Sequence, residues 1–309
     1  MNRSFCLLGI AGLLLAAGCR KDDVVDCAPA ASNSSLKDFV RRNGVPTQPF
    51  TINLGQTQSL TTRGGAVITF PVNSFLTPTN SVATGTAQVR IREVYSVADM
   101  VLTDMPTSMP GYRDMLVSGG EFNIQVSGAQ RLRLQTGSSL TLQSPIPPNQ
   151  DTTQQYLWKQ TAAMLATDTA GWQWASGLRA QSLPGLYRTL IPLDSIGWWN
   201  IDQFWHTYRS SGVASVAITT PANPLTDTRV YLRPIGYNGL ARVAPANTTG
   251  MNWRTTMPVG VEMIAVVLQS VNGQLYYGTQ KVTIQNNLVI VPPLTAVSEA
   301  DAVRLIRQL

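Results

Sequence analysis

The chain has 309 residues, 44% of them hydrophobic and only 13% charged, with a mean hydropathy of +0.01 and a formal net charge of +6. That much apolar material fills one or two cores and excludes a disordered tail, while the shortage of Glu and Lys excludes a helical bundle. One His and three Cys remove most metal and nucleophilic chemistry, and basic residues spaced singly or as alternating pairs (Arg90/Arg92, Arg131/Arg133) form no block that tracks a phosphate backbone, so no nucleic-acid partner is expected.

The first segment, residues 1–18, reads as a signal peptide: Arg3, an apolar run from Phe5 to Ala17, then small residues. The run is too short to span a bilayer. Ala16-Ala17-Gly18-Cys19 resembles a bacterial lipobox, with Leu15 one place earlier than the commonest pattern. The resemblance implies acylation of Cys19, the kind that palmitate labels, and a stable membrane anchor. Lys21-Asp22-Asp23, directly behind it, resembles the export signal of Bacteroidota lipoproteins, which implies the outer membrane and its cell-surface face. Cys6 would leave with the signal peptide and Cys27 would remain without a partner, so the fold is expected to rest on its core rather than on a disulfide.

Residues 19–48 read as a flexible tether containing a short helix at Ser35–Arg42. Alternating apolar runs then follow at Thr51–Leu54, Gly64–Pro71, Ala87–Arg92, Phe122–Val126, Leu132–Leu134 and Leu140–Leu142, punctuated by Gly, Pro and Asn. These predict a β-sandwich over 49–146, closed by the proline-rich stretch Pro145–Asn149. A second β-rich domain is expected over 147–309, with strands at Tyr187–Leu193, Val213–Thr219, Arg229–Leu232, Val261–Gln269, Leu275–Tyr277, Lys281–Ile284 and Leu288–Val291. Ser298-Glu299-Ala300-Asp301 reads as a capping box opening a C-terminal helix whose Ala302, Leu305, Ile306 and Leu309 share a face. The expected class is therefore all-β, two antiparallel sandwich-like domains with a short C-terminal helix.

Three stretches carry a family resemblance: Gly64–Pro71 with Asn73-Ser74-Phe75, Val89–Ser96 with Asp99-Met100, and Ser118-Gly119-Gly120-Glu121-Phe122. Together with Ile196–Phe204, similar to a Gly-Trp-Ile-Asn-Cys-Asp-Arg-Phe stretch, they resemble Bacteroidota surface lipoproteins of unassigned function. Their first domain is itself distantly similar to the β-sandwich of ankyrins and netrin receptors. The resemblance implies a protein-interaction module. Some relatives self-cleave beside a His, and no cleavage motif aligns here. Ile201 and Asp202 stand at and after the place of the family's Cys, so no thiol chemistry carries over.

Candidate chemistry is sparse. His206 is the sole His, so any triad or His–metal mechanism, or self-processing at Thr207, would run through it. Glu93 and Glu121 are the carboxylates a glycan-active enzyme would need; strand parity turns Glu93 inward, toward a structural ion pair, and Glu121 outward. Asp194, Asp202 and Asp227 lack calcium-loop spacing, and neither metal nor cofactor is expected. Asp168-Thr169-Ala170 and Asp194-Ser195-Ile196 fit a short O-glycosylation pattern. Six of the seven Trp lie between Trp158 and Trp205. Trp158, Trp172, Trp174 and Trp205 are candidates for stacking on sugar rings or anchoring a protein, against the alternative that they fill a core. The function expected from the sequence is a lipid-anchored, non-catalytic binding or structural module with a protein or polysaccharide partner.

Overall fold

The computed structural model describes residues 35–109, 115–128, 133–134, 137–148, 150, 153–160, 171–192, 197–205, 212–246 and 251–309. Cys19, Lys21, Asp22, Asp23, Cys27, Asp168, Asp194, His206 and Thr207 lie outside them.

In chain order the elements are α1 (Leu36–Asn43), β1 (Gln48–Asn53), β2 (Gln58–Thr61), β3 (Val67–Phe70), β4 (Phe75–Leu76), β5 (Thr86–Val94), α2 (Val97–Thr103), β6 (Leu116–Gly128), β7 (Arg133–Leu134), β8 (Ser139–Pro145), β9 (Tyr156–Lys159), β10 (Gln173–Arg179), β11 (Gln181–Leu183) and β12 (Leu186–Pro192). They continue through β13 (Trp198–Phe204), β14 (Val213–Thr219), β15 (Thr228–Pro234), β16 (Ala241–Arg242), β17 (Ala244–Pro245), β18 (Asn252–Pro258), β19 (Glu262–Val271), β20 (Gln274–Thr283), β21 (Leu288–Ile290), β22 (Thr295–Val297) and α3 (Glu299–Ile306). The protein is mostly β, with antiparallel sheets packed as sandwiches.

A six-stranded sheet, β1-β5-β6-β13-β9-β10, faces a five-stranded sheet, β11-β12-β8-β3-β2. Alternation makes their shared core: Val89, Ile91, Phe122, Ile124 and Trp199 from the first sheet meet Ile68, Leu140, Leu142, Tyr187 and Ile191 from the second. A second pair of sheets, β17-β18-β14-β21 and β16-β15-β19-β20-β22, encloses Val216, Ile218, Trp253, Val230, Met263 and Val267. The β14–β21 pair is parallel.

A third apolar cluster decides what the six-stranded sheet can expose. Its outer face, through Val94, Leu116, Trp158 and Trp198, packs with Leu36 and Phe39 of α1, Met100 and Val101 of α2, Tyr231 and Val266 of the second sandwich, and Ala302 and Ile306 of α3. Most of that sheet is therefore buried on both faces, and β6 reads as a continuous buried run from Leu116 to Ile124.

Two expected boundaries move. The folded body begins at α1, because Leu36 and Phe39, one helical turn apart, are 1% and 0% exposed in the third cluster, so residues 36–48 belong to the fold and not to a tether. The sheets also do not break near Ile146: β12 pairs with β8 and β13 with β6, so strands β9 to β13 complete the first sandwich, and β14 is the first strand of the second. The proline-rich stretch is a connection inside the first sandwich rather than a linker, since Ile146 N–H donates to the Gly185 carbonyl across the β8–β12 end.

The C-terminal helix forms as its pattern predicts. Ser298 Oγ accepts from Asp301 N–H at 3.0 Å, and Ala302 and Ile306 are fully buried. Arg42 of α1 holds Glu299 with two hydrogen bonds, 3.0 and 2.7 Å, tying the first helix to the last.

Candidate functional site: the outer face of the six-stranded sheet

Antiparallel register lines up two rows of side chains across this sheet. One runs Val94, Glu121, Asn200, Trp158, Trp174 through β5, β6, β13, β9 and β10. The next runs Ser118, Asp202, Tyr156, Arg179. The centre of both rows is polar and sealed, and the β10 end is aromatic and open.

The centre depends on a bulge. Glu121 pairs with Asn200 while Ser118 pairs with Asp202, so β6 spends one residue more than β13 across Gly119-Gly120. Both glycines are required. A Cβ on Gly119 would lie 2.7 Å from Tyr187 Cε2 and 2.9 Å from the Ile201 carbonyl oxygen, and Gly120 has φ +139°. The outward orientation expected of Glu121 is correct in parity, but outward does not mean solvated: the second sandwich and the helices cover this face, and Glu121 and Asp202 are both 0% exposed.

No hydrogen-bond partner among the described residues meets either oxygen of Glu121 or Oδ1 of Asp202. Asn200 Nδ2 donates to Asp202 Oδ2, and Ser118 Oγ donates to Asn200 Oδ1 at 2.9 Å. Burial, reinforced by the Asp202 charge, holds the Glu121 carboxyl well above the usual carboxylate range. Burial does the same to Asp202, outweighing the opposing effects of Ser118, Gly119 and Asn200. Both carboxyls are thus biased toward their protonated forms in a layer closed to solvent. A polysaccharide cannot reach them.

Glu93 is inward, 5% exposed, as its parity predicts. Its expected ion pair is replaced by a cage of neutral donors: Gln48 Nε2 at 2.7 Å, Thr62 Oγ1 at 2.5 Å, Gly64 N–H at 3.1 Å and Tyr95 Oη at 3.1 Å. Among the described residues it meets no Arg or Lys. The nearest cations on its own strand, Arg90 and Arg92, alternate to the other face.

Of the four candidate tryptophans, three are core. Trp158 and Trp172 are 0% and Trp205 3% exposed. Trp158 Nε1 donates to the Asp202 carbonyl and Trp172 Nε1 to the Pro106 carbonyl, so each indole satisfies its one polar atom internally. For these three the core alternative holds, and the helices and second sandwich that cover Trp158 and Trp172 come from distant segments.

Trp174 differs. It is 44% exposed on β10, the edge strand of the sheet. Tyr156 and Phe204 meet its ring edge-on at centroid distances of 5.7 and 6.2 Å, and Arg179 stacks 5.1 Å from the Tyr156 centroid. At the same edge, toward the sheet's other face, a depression of about 300 Å³ is lined by Lys159, Gln173, Pro192 and Trp199, whose register is opposite to that of the Trp174 indole. Among the described residues of 153–192 the charged side chains are Lys159, Arg179 and Arg188, without a carboxylate.

Among the described residues no group of three or more His, Cys, Asp and Glu is placed to hold a metal ion. No protein-family model and no curated protein matches this chain.

Proposed function

We propose that the protein is a lipoprotein anchored through Cys19 in the outer membrane, facing the cell surface, and that its folded body is a non-catalytic module binding polysaccharide at the β10 edge. The anchor and the compartment rest on the sequence: the apolar run, the small residues before Cys19, and Lys21-Asp22-Asp23 behind it. Trp174 carries the binding reading. A half-exposed indole braced edge-on by Tyr156 and Phe204 presents a fixed flat face at little entropic cost, which suits a sugar ring. The sealing of Glu121 and Asp202 favours binding over carboxylate-dependent hydrolysis.

The test is a glycan array and titration with Trp174→Ala. Binding should fall at least about tenfold, the loss of one stacked aromatic, with the thermal midpoint unchanged. Undiminished polysaccharide binding by a folded Trp174→Ala protein overturns the β10 assignment.

A further inference from the structure

The strongest feature outside that face is a cleft of about 440 Å³ where both sandwiches and α3 meet. Tyr95, Pro147 and Pro148 line it from the first sandwich, Arg233 and Tyr237 from the second, and Arg307 from the end of the chain. Its size is that of a small-molecule site. Its walls are aromatic and prolyl, and its charge is basic.

Arg233 is the unusual residue. Half-buried near the end of β15, it has no ion pair or side-chain hydrogen bond among the described residues, and its Nε is buried without a partner. The two guanidinium groups buried beneath the second sandwich, Arg229 and Arg242, meet Asp104. On the same cleft the exposed Arg307 meets Asp99 at 2.5 Å. The Asp99 carboxylate is thus committed to Arg307. Desolvating a guanidinium without an anion is costly, and that cost is recovered when a carboxylate enters its fork. Register with Ile264 fixes the base of Arg233, and its buried Nε sets the root of the guanidinium against the protein at the cleft.

We propose that this cleft is a binding site for a small organic carboxylate carried on a ring, with the carboxylate paired to Arg233 and the ring against Tyr95, Tyr237 and the Pro147-Pro148 wall. It is independent of the Trp174 edge and of the lipid anchor.

The test is calorimetric titration of the folded, unacylated protein with glucuronate and benzoate, with glucose as the neutral comparator and inorganic phosphate as the bare anion. Saturable binding of at least one ring carboxylate, with none of glucose, is expected. Arg233→Gln should weaken it at least tenfold while the circular-dichroism melt stays within a degree or two, because Arg233 makes no side-chain hydrogen bond among the described residues. Arg233→Lys keeps the charge without the fork and should give an intermediate loss, and Trp174→Ala should leave the affinity unchanged. Absence of ring-carboxylate binding, Arg233-dependent binding of phosphate alone, or a loss below twofold in both Arg233 variants overturns the proposal.

Discussion

Glu121 of β6 and Asn200 of β13 stand opposite each other across a glycine bulge, and two positions on Asn200 donates to Asp202, so two carboxyl groups are buried around one amide. In the same row, two strands further, Trp174 emerges into solvent.

The buried acids make stability fall as pH rises. In the unfolded chain both groups lose their protons near pH 4, whereas the folded chain keeps them, so above about pH 4 the native state binds more protons and each rise in pH favours unfolding until the raised folded pKa values are passed. Glu121→Gln should flatten this slope. Urea midpoints at pH 5 and pH 8 should show the variant gaining on the native chain at pH 8, by roughly 1–3 kcal/mol; an equal effect at both values would contradict burial of a protonated Glu121.

Asp104 acts in the opposite direction. It caps α2 in the left-handed region, φ 53°, and takes Arg229 Nε at 2.7 Å and Tyr231 Oη at 2.5 Å, with Arg242 at 3.9 Å. Burial pushes its carboxyl up, but Arg242, Arg229 and Tyr231 outweigh that and leave it below the usual range. Its contribution is present above about pH 4 and is lost as pH falls further. Asp104→Ala removes the carboxylate that Arg229, Arg242 and Tyr231 share and should cost about 3–5 kcal/mol by chemical denaturation. Asp104→Asn, which keeps the left-handed preference, should cost less.

Glu93 serves four donors at once, so Glu93→Ala should destabilise by roughly 2–4 kcal/mol, the cost of leaving Gln48, Thr62, Gly64 and Tyr95 unsatisfied. Glu93→Gln supplies one acceptor oxygen and should fall between the two. Thermal melts of the three proteins rank them.

Trp158 and Trp174 face each other across β9 and β10 yet should respond differently to truncation. Trp158→Ala opens a cavity in a fully buried cluster and should cost about 3–5 kcal/mol. Trp174→Ala should cost under about 1 kcal/mol. Equal destabilisation would mean that Trp174 is packed.

Sequence alone determined the class of the fold and most of its strands, since alternation with a period of two survives in any antiparallel sheet with one buried face: Val213–Thr219 is an instance, with Ala214, Val216 and Ile218 inward. The C-terminal helix was legible for a similar local reason, its cap and its apolar face lying within a dozen residues. The donor cage of Glu93, the sealing of Glu121 and Asp202, the burial of three tryptophans and the isolation of Arg233 were decided only by tertiary structure. A second sandwich and three helices cover one face of the six-stranded sheet, and a side chain that points away from one core then enters another. Alternation fixes which side of a strand a residue takes, while the distant segment packed there fixes whether that side is water, an acid pair or an open cleft.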